Sequence, residues 1–145
     1  MYIGKVSEVT QELHNALEKL IPQLGAHKIP PTGEELSKLV TSESSSLLVA
    51  RQSTEDDPIV GILCLTIYPV PTGLRSIIED VIVDENVRRQ GIGEALMRYA
   101  IDLAREAGAD GVSLTSNPQR EAANQLYRSM GFKLRKTNPY FYKLK

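Results

Sequence analysis

The chain has 145 residues, of which 41% are hydrophobic and 24% are charged, an ordinary globular composition that excludes a disordered or collagen-like chain. Its 17 Lys and Arg side chains nearly balance 18 Asp and Glu side chains, for a formal net charge of -1. That balance provides no global field to hold nucleic acid or an anionic membrane, although a local basic patch stays compatible with it. One cysteine and two histidines exclude an internal disulfide and a metal site built from cysteines or several histidines.

The length fits one domain over residues 1–145 with one hydrophobic core. No apolar targeting region follows the first residues, and no run approaches the length of a membrane-spanning helix. The sequence therefore predicts a soluble, reduced, cytoplasmic protein.

The first half of the chain predicts one strand, two helices and three further strands. Residues 2–6 are compatible with an edge strand, and apolar residues at three- and four-residue steps predict an amphipathic helix over 7–24. Ser7 is the expected N-cap of that helix, and Pro22 is expected to end or bend it. A second helix is predicted over 34–40, capped at Thr32. Hairpin-linked strands are predicted over 47–51, 59–68 and 76–83.

The second half alternates between strand and helix. A long helix is predicted over 91–107, closed by Gly108, followed by a strand over 111–115. Asn117 is the expected N-cap of a helix that runs over 122–130. Two closing strands are predicted over 132–136 and 141–144. The order β-α-α-β-β-β-α-β-α-β-β favours an α+β fold around one sheet over a regular doubly wound fold.

One segment carries a chemical signal: Arg88-Arg89-Gln90-Gly91-Ile92-Gly93, the glycine turn, between an Ile/Val-rich strand and the long helix. Two glycines let the backbone approach a ligand, and the first helical turn offers free N–H groups and a positive dipole end. The pattern predicts a pyrophosphate cradle, with a plain glycine-rich turn as the alternative. A dinucleotide fingerprint needs glycine at position 96, which is Leu96, and a P-loop needs Gly-Lys-Ser/Thr, where Gly93 is followed by Glu94 and Ala95.

The glycine turn resembles the Gln/Arg-x-x-Gly-x-Gly/Ala acetyl-CoA signature of the GNAT N-acetyltransferase superfamily. Ile78-Glu79-Asp80-Val81-Ile82-Val83-Asp84 is similar to the central strand of that family. Leu114-Thr115-Ser116-Asn117 and Ala123-Asn124-Gln125-Leu126-Tyr127-Arg128-Ser129-Met130-Gly131-Phe132 are similar to its second conserved block. The resemblance therefore covers residues 78–132 with several correctly spaced motifs.

The resemblance implies a mixed, mostly antiparallel sheet of six to seven strands flanked by helices. It implies that the central strand splays from the next strand and pairs with the pantetheine arm, while backbone N–H groups of residues 89–94 hold the pyrophosphate. Asn117 and Asn124 match positions that commonly contact the cofactor, and Asn117 is equally well explained as a helix cap. The residues so assigned to acetyl-CoA are Val81, Ile82, Val83, Arg88, Arg89, Gln90, Gly91, Ile92, Gly93, Glu94, Asn117 and Asn124.

Two residues are candidates for acid–base chemistry. Tyr127 matches the tyrosine that faces the cofactor sulfur as a general acid; the alternative is a core aromatic on an apolar helical stripe. Alternation along the strand places Glu79 on the face of Val81 and Val83, and Asp80 on the other face. A carboxylate among apolar strand residues is costly to bury unless it is used or paired. We expect Glu79 to be the base, with a structural ion pair or a base role for Asp80 as alternatives.

The implied function is acetyl transfer from acetyl-CoA to a primary amine of a small molecule by direct attack, without a metal. A peptide N-terminal acetyltransferase and a non-catalytic acyl-CoA-binding module remain open, and homodimers are common in the family. Tyr140 and Tyr142 are either strand aromatics or part of an acceptor pocket. Cys64 is interpreted as a buried hydrophobe and not as a nucleophile.

Overall fold

The computed structural model describes all 145 residues, Met1–Lys145, which divide into two compact units, Met1–Thr115 and Ser116–Lys145. The first unit contains a five-stranded sheet in the order β1-β2-β3-β4-β5. Its strands are β1 (Tyr2–Lys5), β2 (Ser45–Arg51), β3 (Ile59–Val70), β4 (Gly73–Val83) and β5 (Val112–Ser113). Strands β1 to β4 pair in antiparallel fashion, and β5 runs parallel to β4.

The first unit also contains three α-helices: α1 (Gln11–Leu24), α2 (Gly33–Thr41) and α3 (Ile92–Glu106). The second unit contains α4 (Glu121–Ser129). A short 3-10 turn, Glu85–Val87, connects β4 to the glycine turn. The predicted order of elements is therefore confirmed as far as α4, and the α+β class with it. No helix is long and apolar enough to span a membrane.

Helices α1 and α2 cover part of the sheet with an apolar stripe, and the sequence predicted both. The buried cluster comprises Leu13, Leu17, Leu20, Leu36, Leu47, Val49, Ile62 and Ile82. The cap of α2 is confirmed, since Thr32 and Glu35 form a reciprocal capping box. The predicted cap of α1 is wrong: Thr10 accepts from the N–H of Leu13 at 3.1 Å, so the helix begins later than Ser7. The helix continues through Pro22.

Close packing against β3 fixes the position of helix α3. A Cβ atom on Gly61 would lie 3.2 Å from Leu96 Cδ1 and 3.3 Å from the carbonyl oxygen of Ile82. Because Gly61 has no side chain, α3 approaches the sheet with Ile92 and Leu96 fully buried. The N-terminus of α3 is thereby held beside the end of β4.

In the second unit, Asn117 does not cap α4, contrary to the prediction. The N-cap position of α4 is Arg120, while the Asn117 carboxamide oxygen accepts from the N–H of Gln119 at 2.9 Å. Asn117 therefore closes a separate turn that precedes the helix.

The two closing strands predicted over 132–136 and 141–144 are also wrong, so the sheet has five strands and not six to seven. Residues 133–145 form no backbone hydrogen bond within the chain. An apolar, aromatic pattern predicts that a segment can form a strand, but a strand also needs a neighbouring strand to pair with its backbone groups.

Candidate active site

Strands β4 and β5 separate after two paired positions. Ser76 is opposite Val112 and Ile77 is opposite Ser113, and no pairing continues beyond them. The buried Ser76 hydroxyl donates to the carbonyl oxygen of Gly111 at 2.6 Å, which stabilises the end at which β4 and β5 are paired. Residues 78–83 of β4 therefore have no strand on their outer edge, and Val81, Ile82 and Val83 lie in this open stretch.

A β-bulge interrupts β4 in the middle of the open stretch. Asp80 has φ of 52°, and the register with β3 shifts between Ile62 and Cys64, which is opposite Glu79. Two residues of β4 thus occupy the space of one, which breaks the alternation that predicted opposite faces for Glu79 and Asp80. Burial, and then the charges of Asp80 and Glu79, raise the pKa of the Cys64 thiol to about 11. The charges of both carboxylates therefore act on the same thiol.

Both carboxylates at the bulge are exposed to solvent. The expectation that Glu79 or Asp80 is a buried charge in need of a partner was therefore wrong, because both lie on the stretch of β4 that has no strand on its outer edge. A solvated carboxylate at the open edge of a sheet is free to accept a proton from a bound amine. The geometry leaves both side chains available as the base.

The turn after β4 is fastened to helix α1. Lys19 Nζ lies 2.8 Å from Asp84 Oδ2, and the Asp84 carboxylate also accepts from the N–H of Asn86 at 3.2 Å. The side-chain oxygen of Gln23 accepts from the N–H of Glu85 at 3.0 Å. The hydrogen bond from Lys19 holds the pKa of the buried Asp84 carboxyl below its ordinary value. Helix α1 thus sets the position from which the glycine turn starts.

The glycine turn presents a run of free backbone donors. Arg89 has φ of 66° and Gly91 has φ of 80°, so two left-handed residues curve the backbone just before α3. The N–H groups of residues 89–94 donate no hydrogen bond within the protein. Successive N–H groups in such a curve form an anion-binding concavity, and the dipole of α3 adds to its positive potential.

Side chains leave this concavity open. A Cβ atom on Gly91 would meet nothing within 4 Å, so the space above the turn is free. Arg88 Nε donates to the carbonyl oxygen of Val83 at 3.2 Å, and the Gln90 side-chain oxygen accepts from Gln52 Nε2 at 3.1 Å. Both arginines are exposed, and Arg89 makes no hydrogen bond or ion pair within the chain, so its guanidinium is available. Several N–H donors, a free cation and no intervening side chain fit the pyrophosphate of a coenzyme A thioester.

In the second unit, Asn124 stabilises the loop that precedes α4. Its Nδ2 donates to the carbonyl oxygens of Asn117 at 3.0 Å and Arg120 at 2.8 Å. Both amide protons of Asn124 are thus used within the loop. Its carboxamide oxygen is the part of the side chain left to accept from a ligand.

Tyr127 is 7% exposed, and its ring makes an edge-on contact with Phe132 at a centroid distance of 6.0 Å. Burial raises the pKa of its hydroxyl, opposed by the positive charge of Arg120. The hydroxyl therefore stays protonated at neutral pH, the state that a general acid needs. The ring itself is packed as the core-aromatic alternative predicted, so the two interpretations of Tyr127 differ only in what the hydroxyl does.

Sequence reasoning missed the bulge at Asp80 and the contacts of Lys19 and Gln23 with the turn after β4. Lys19 lies on the polar face of α1, where a lysine ordinarily faces solvent, so the sequence carries no sign of its partner. The turn at Asp84 was weakly indicated by the sequence, because an aspartate carboxylate commonly accepts from the backbone N–H two residues later, here that of Asn86.

The model of the acetyltransferase (GNAT) family matches residues 10–132. The chain therefore belongs to the GNAT acetyltransferase family. An uncharacterized N-acetyltransferase of Bacillus subtilis is 33% identical over 100 residues, which cover 68% of this chain and 69% of that protein. A streptothricin acetyltransferase of Streptomyces lavendulae is 45% identical over 58 residues, or 40% of this chain and 31% of the relative. N-acetyltransferase 8 of Homo sapiens is similarly matched over only 26% of its length.

Solved structures share the fold at low sequence identity. An aminoglycoside acetyltransferase from an uncultured soil metagenomic sample, solved with trehalose, superposes with a TM-score of 0.84 at 24% identity. That superposition covers 99% of this chain and 96% of the other. A transcriptional regulator from Bacillus halodurans superposes with a TM-score of 0.82 at 24% identity, over 98% and 100% of the two chains.

Proposed function

We propose that this chain is an acetyl-CoA-dependent N-acetyltransferase that acetylates a primary amine of a small molecule by direct attack. The observation that carries the proposal is the run of unpaired N–H groups over residues 89–94, directly downstream of the open edge of β4. The open strand edge offers a site for the peptide-like pantetheine arm. The N–H concavity, which follows it along the chain, offers a site for the pyrophosphate. In this proposal residues 1–145 form one acetyltransferase domain that acts in the cytoplasm, where acetyl-CoA is available.

Some of the residues assigned to acetyl-CoA contribute backbone groups, and others contribute side chains. Residues 81–83 offer backbone groups at the open edge of β4, and Gly91 leaves room for phosphate oxygens above the N–H groups. Gly93 is assigned the same role on the family resemblance. Arg89 supplies the free positive charge, whereas Arg88 acts on β4 itself. Asn117 and Asn124 are assigned a cofactor contact on the family resemblance, with the Asn124 carboxamide oxygen as the group still free to accept.

The base acts on the acceptor amine. Acetyl-CoA supplies a thioester whose carbonyl carbon is the electrophile. An amine attacks only when its nitrogen lone pair is free, so the Glu79 carboxylate accepts a proton from the bound ammonium group or through a water molecule. The neutral amine then forms the nitrogen–carbon bond, and the carbonyl electron pair moves onto oxygen. When that pair returns, the carbon–sulfur bond breaks; the nitrogen loses its second proton to the Tyr127 oxygen, which has given its own proton to the thiolate, and Glu79 releases its proton to water. Asp80, next to Glu79 at the bulge, adds a second negative charge that favours a cationic acceptor.

Two other groups act on the thioester. A backbone N–H near Val81, on the open stretch of β4, donates to the negative charge that develops on the carbonyl oxygen. The Tyr127 hydroxyl donates its proton to the departing thiolate, and its raised pKa keeps that proton in place until then. A thiol has an ordinary pKa near 8.5, so this proton transfer assists the reaction without being indispensable.

The small-molecule acceptor is supported by relatives whose names state their substrates, streptothricin for one and aminoglycosides for another. The test is release of CoA thiol from acetyl-CoA across polyamines, amino sugars, aminoglycosides, amino acids and short peptides. We expect turnover with at least one small cationic amine. Turnover with peptide α-amines alone would identify a peptide N-terminal acetyltransferase. Acetyl-CoA binding without thiol release on any amine would identify a non-catalytic module.

A further inference from the structure

Helices α1 and α2 cover only half of the sheet face against which they pack. The strand residues in their buried cluster are Leu47, Val49, Ile62 and Ile82. The same face continues in the other direction along the strands, since Leu47 is opposite Cys64 and opposite residues share a face. Pairing and alternation extend it to five residues, here called the uncovered half-face: Ser45, Cys64, Thr66, Ile77 and Glu79.

The uncovered half-face is solvated, in contrast to the other side of the same strands. Its five residues are all half-buried or exposed. On the opposite face, Leu63, Leu65 and Ile78 are at most 2% exposed. A small molecule can therefore reach this part of the sheet, which adjoins the open stretch of β4 at Glu79.

Hydroxyl groups line one side of the uncovered half-face. Ser45 Oγ and Thr66 Oγ1 lie 2.9 Å apart, and because two hydroxyls share one hydrogen bond, one proton and several lone pairs remain for a third partner. The turn before β2 holds the pair in place, since Ser42 Oγ accepts from the N–H of Ser45 at 3.1 Å. The carbonyl oxygen of Ser44 accepts from the N–H of Ile67 at 2.8 Å. A fixed hydroxyl pair can therefore donate to or accept from a hydroxyl group of a ligand.

The other side of the uncovered half-face is acidic. Glu79 lies on it and Asp80 follows at the bulge; both are exposed, and neither forms an ion pair within the chain. The nearby basic residue of β4, Arg75, donates instead to the Thr72 hydroxyl at 3.1 Å. The two unpaired carboxylates favour a ligand that carries a positive charge.

The spacing between the acidic side and the hydroxyl side sets the size of the ligand. Cys64 is opposite Glu79 and Thr66 is opposite Ile77, so Thr66 and Glu79 are diagonal neighbours. Such neighbours lie about 7–8 Å apart. A single six-membered ring spans this gap, with an ammonium group at Glu79 and a hydroxyl group at the Ser45–Thr66 pair. Ile77 lies between the two and offers an apolar contact to the ring.

We propose that the acceptor is an amine on a hydroxylated ring, as in an amino sugar, and that Thr66, together with Ser45, selects it through a ring hydroxyl. This proposal rests on the proposed function, because it places the reacting amine at Glu79. A site that hydrogen-bonds a substrate hydroxyl discriminates against an analogue without one, since its polar groups then lose their partner. Water can replace that partner at a half-buried site, so the discrimination is about three- to tenfold, the net value of one hydrogen bond.

The test compares glucosamine with cyclohexylamine, two amines on a six-membered ring of which only glucosamine carries hydroxyl groups. The measured quantity is the ratio of kcat/KM for the two amines, from release of CoA thiol. Thr66→Val keeps the β-branched shape and removes the hydroxyl, and should lower this ratio about three- to tenfold. Thr66→Ser retains the hydroxyl and should keep the wild-type ratio. Thr72→Val, at the end of the same hairpin, is the control and should also keep it. The unequal basicity of the two amines affects every variant alike, so it does not move the comparison.

Equilibrium binding separates this proposal from the proposed function. Titration calorimetry of both amines against the chain saturated with CoA, at a pH where both amines are protonated, should show tighter binding of glucosamine, and Thr66→Val should remove the difference. That result without thiol release from any amine would support the hydroxyl site and overturn acetyl transfer. Thiol release with a ratio that Thr66→Val leaves unchanged would overturn the hydroxyl site and leave acetyl transfer standing. Equal binding of the two amines, with no thiol release, would overturn both.

Discussion

Lys19 Nζ and Asp84 Oδ2 lie 2.8 Å apart, and this ion pair joins helix α1 to the turn that leads into the glycine turn. Its two members differ in environment, since the Lys19 side chain is 60% exposed and the Asp84 side chain only 5%. The carboxylate therefore depends on the lysine far more than the lysine depends on the carboxylate. The geometry of the glycine turn is thus set in part by a helix distant from it in sequence.

Lys19→Met leaves the buried Asp84 charge without its counter-ion, and we expect a loss of about 1–2 kcal/mol in the free energy of unfolding at neutral pH. This is less than the ~3–5 kcal/mol of a fully buried pair, because the exposed lysine is well solvated. Denaturant unfolding measures the change. Lys38→Met, which removes a fully solvated ion pair with Glu34, is the matched control and should cost less than about 0.5 kcal/mol.

The loss from Lys19→Met depends on pH in a defined direction. The pKa of Asp84 is lowered in the folded chain. The ion pair therefore makes its full contribution to the free energy of unfolding at pH values above the ordinary aspartate pKa of about 3.9. Its contribution disappears as the pH falls through the lowered folded-state value. The wild-type and Lys19→Met curves should therefore converge in acid, and a difference that persists unchanged there would contradict the ion-pair explanation.

Glu79→Gln should lower kcat about 10²-fold, with the largest loss at low pH, where the acceptor amine is most protonated. The affinity for acetyl-CoA should change little, because residue 79 precedes the strand stretch assigned to the cofactor. Asp80→Asn is the matched variant, since it removes the neighbouring charge at the same bulge. If Asp80→Asn flattens the low-pH limb and Glu79→Gln does not, Asp80 is the base.

Tyr127→Phe should lower kcat between about 10²- and 10⁴-fold and remove any loss of rate due to phenol ionisation at high pH. That limb should lie above the ordinary tyrosine pKa of about 10, because burial raises the pKa of Tyr127. The ring contact with Phe132 survives the substitution, so the melting temperature should hardly move. A Phe variant with wild-type kcat, measured where chemistry limits the rate, would make Tyr127 a core residue only.

Cys64 should react slowly with iodoacetamide near neutral pH, because a thiol with a pKa of about 11 is almost wholly protonated there. Cys64→Ala should retain full turnover. Combining Glu79→Gln with Asp80→Asn should lower the thiol pKa and speed the alkylation, since both charges act on Cys64. An alkylation rate that is unchanged by the two substitutions would show that the bulge does not bring the carboxylates near the thiol.

Local patterns predicted the helices and the first five strands well, because each depends on periodicity within a few residues. Of the three predicted N-caps, only Thr32 was right. The capping box at Thr32 and the glycine turn before α3 are determined by neighbouring residues in this way. The bulge at Asp80 has no local signature, since an extra residue is visible only against the register of β3. Alternation alone therefore misplaced Asp80 relative to Glu79.

Long-range relationships were the other gap. The contact of Lys19 with Asp84 joins two residues whose sequence surroundings say nothing of each other. The segments 132–136 and 141–144 have the composition of strands, yet whether they pair depends on an available edge and not on their own residues. Their composition predicts strands, whereas the structure leaves the backbone groups of residues 133–145 unpaired within the chain.

The most direct test of the account compares acetyl-CoA binding, by titration calorimetry, in Gly91→Val and Gly108→Val. Both glycines have positive φ, 80° and 84°, both have open space where a Cβ would lie, and they flank opposite ends of α3. The two substitutions should therefore strain the backbone alike, by about 1–2 kcal/mol. We predict that Gly91→Val weakens acetyl-CoA binding at least tenfold and that Gly108→Val leaves it unchanged. Equal affinity in the two folded variants would contradict the cradle.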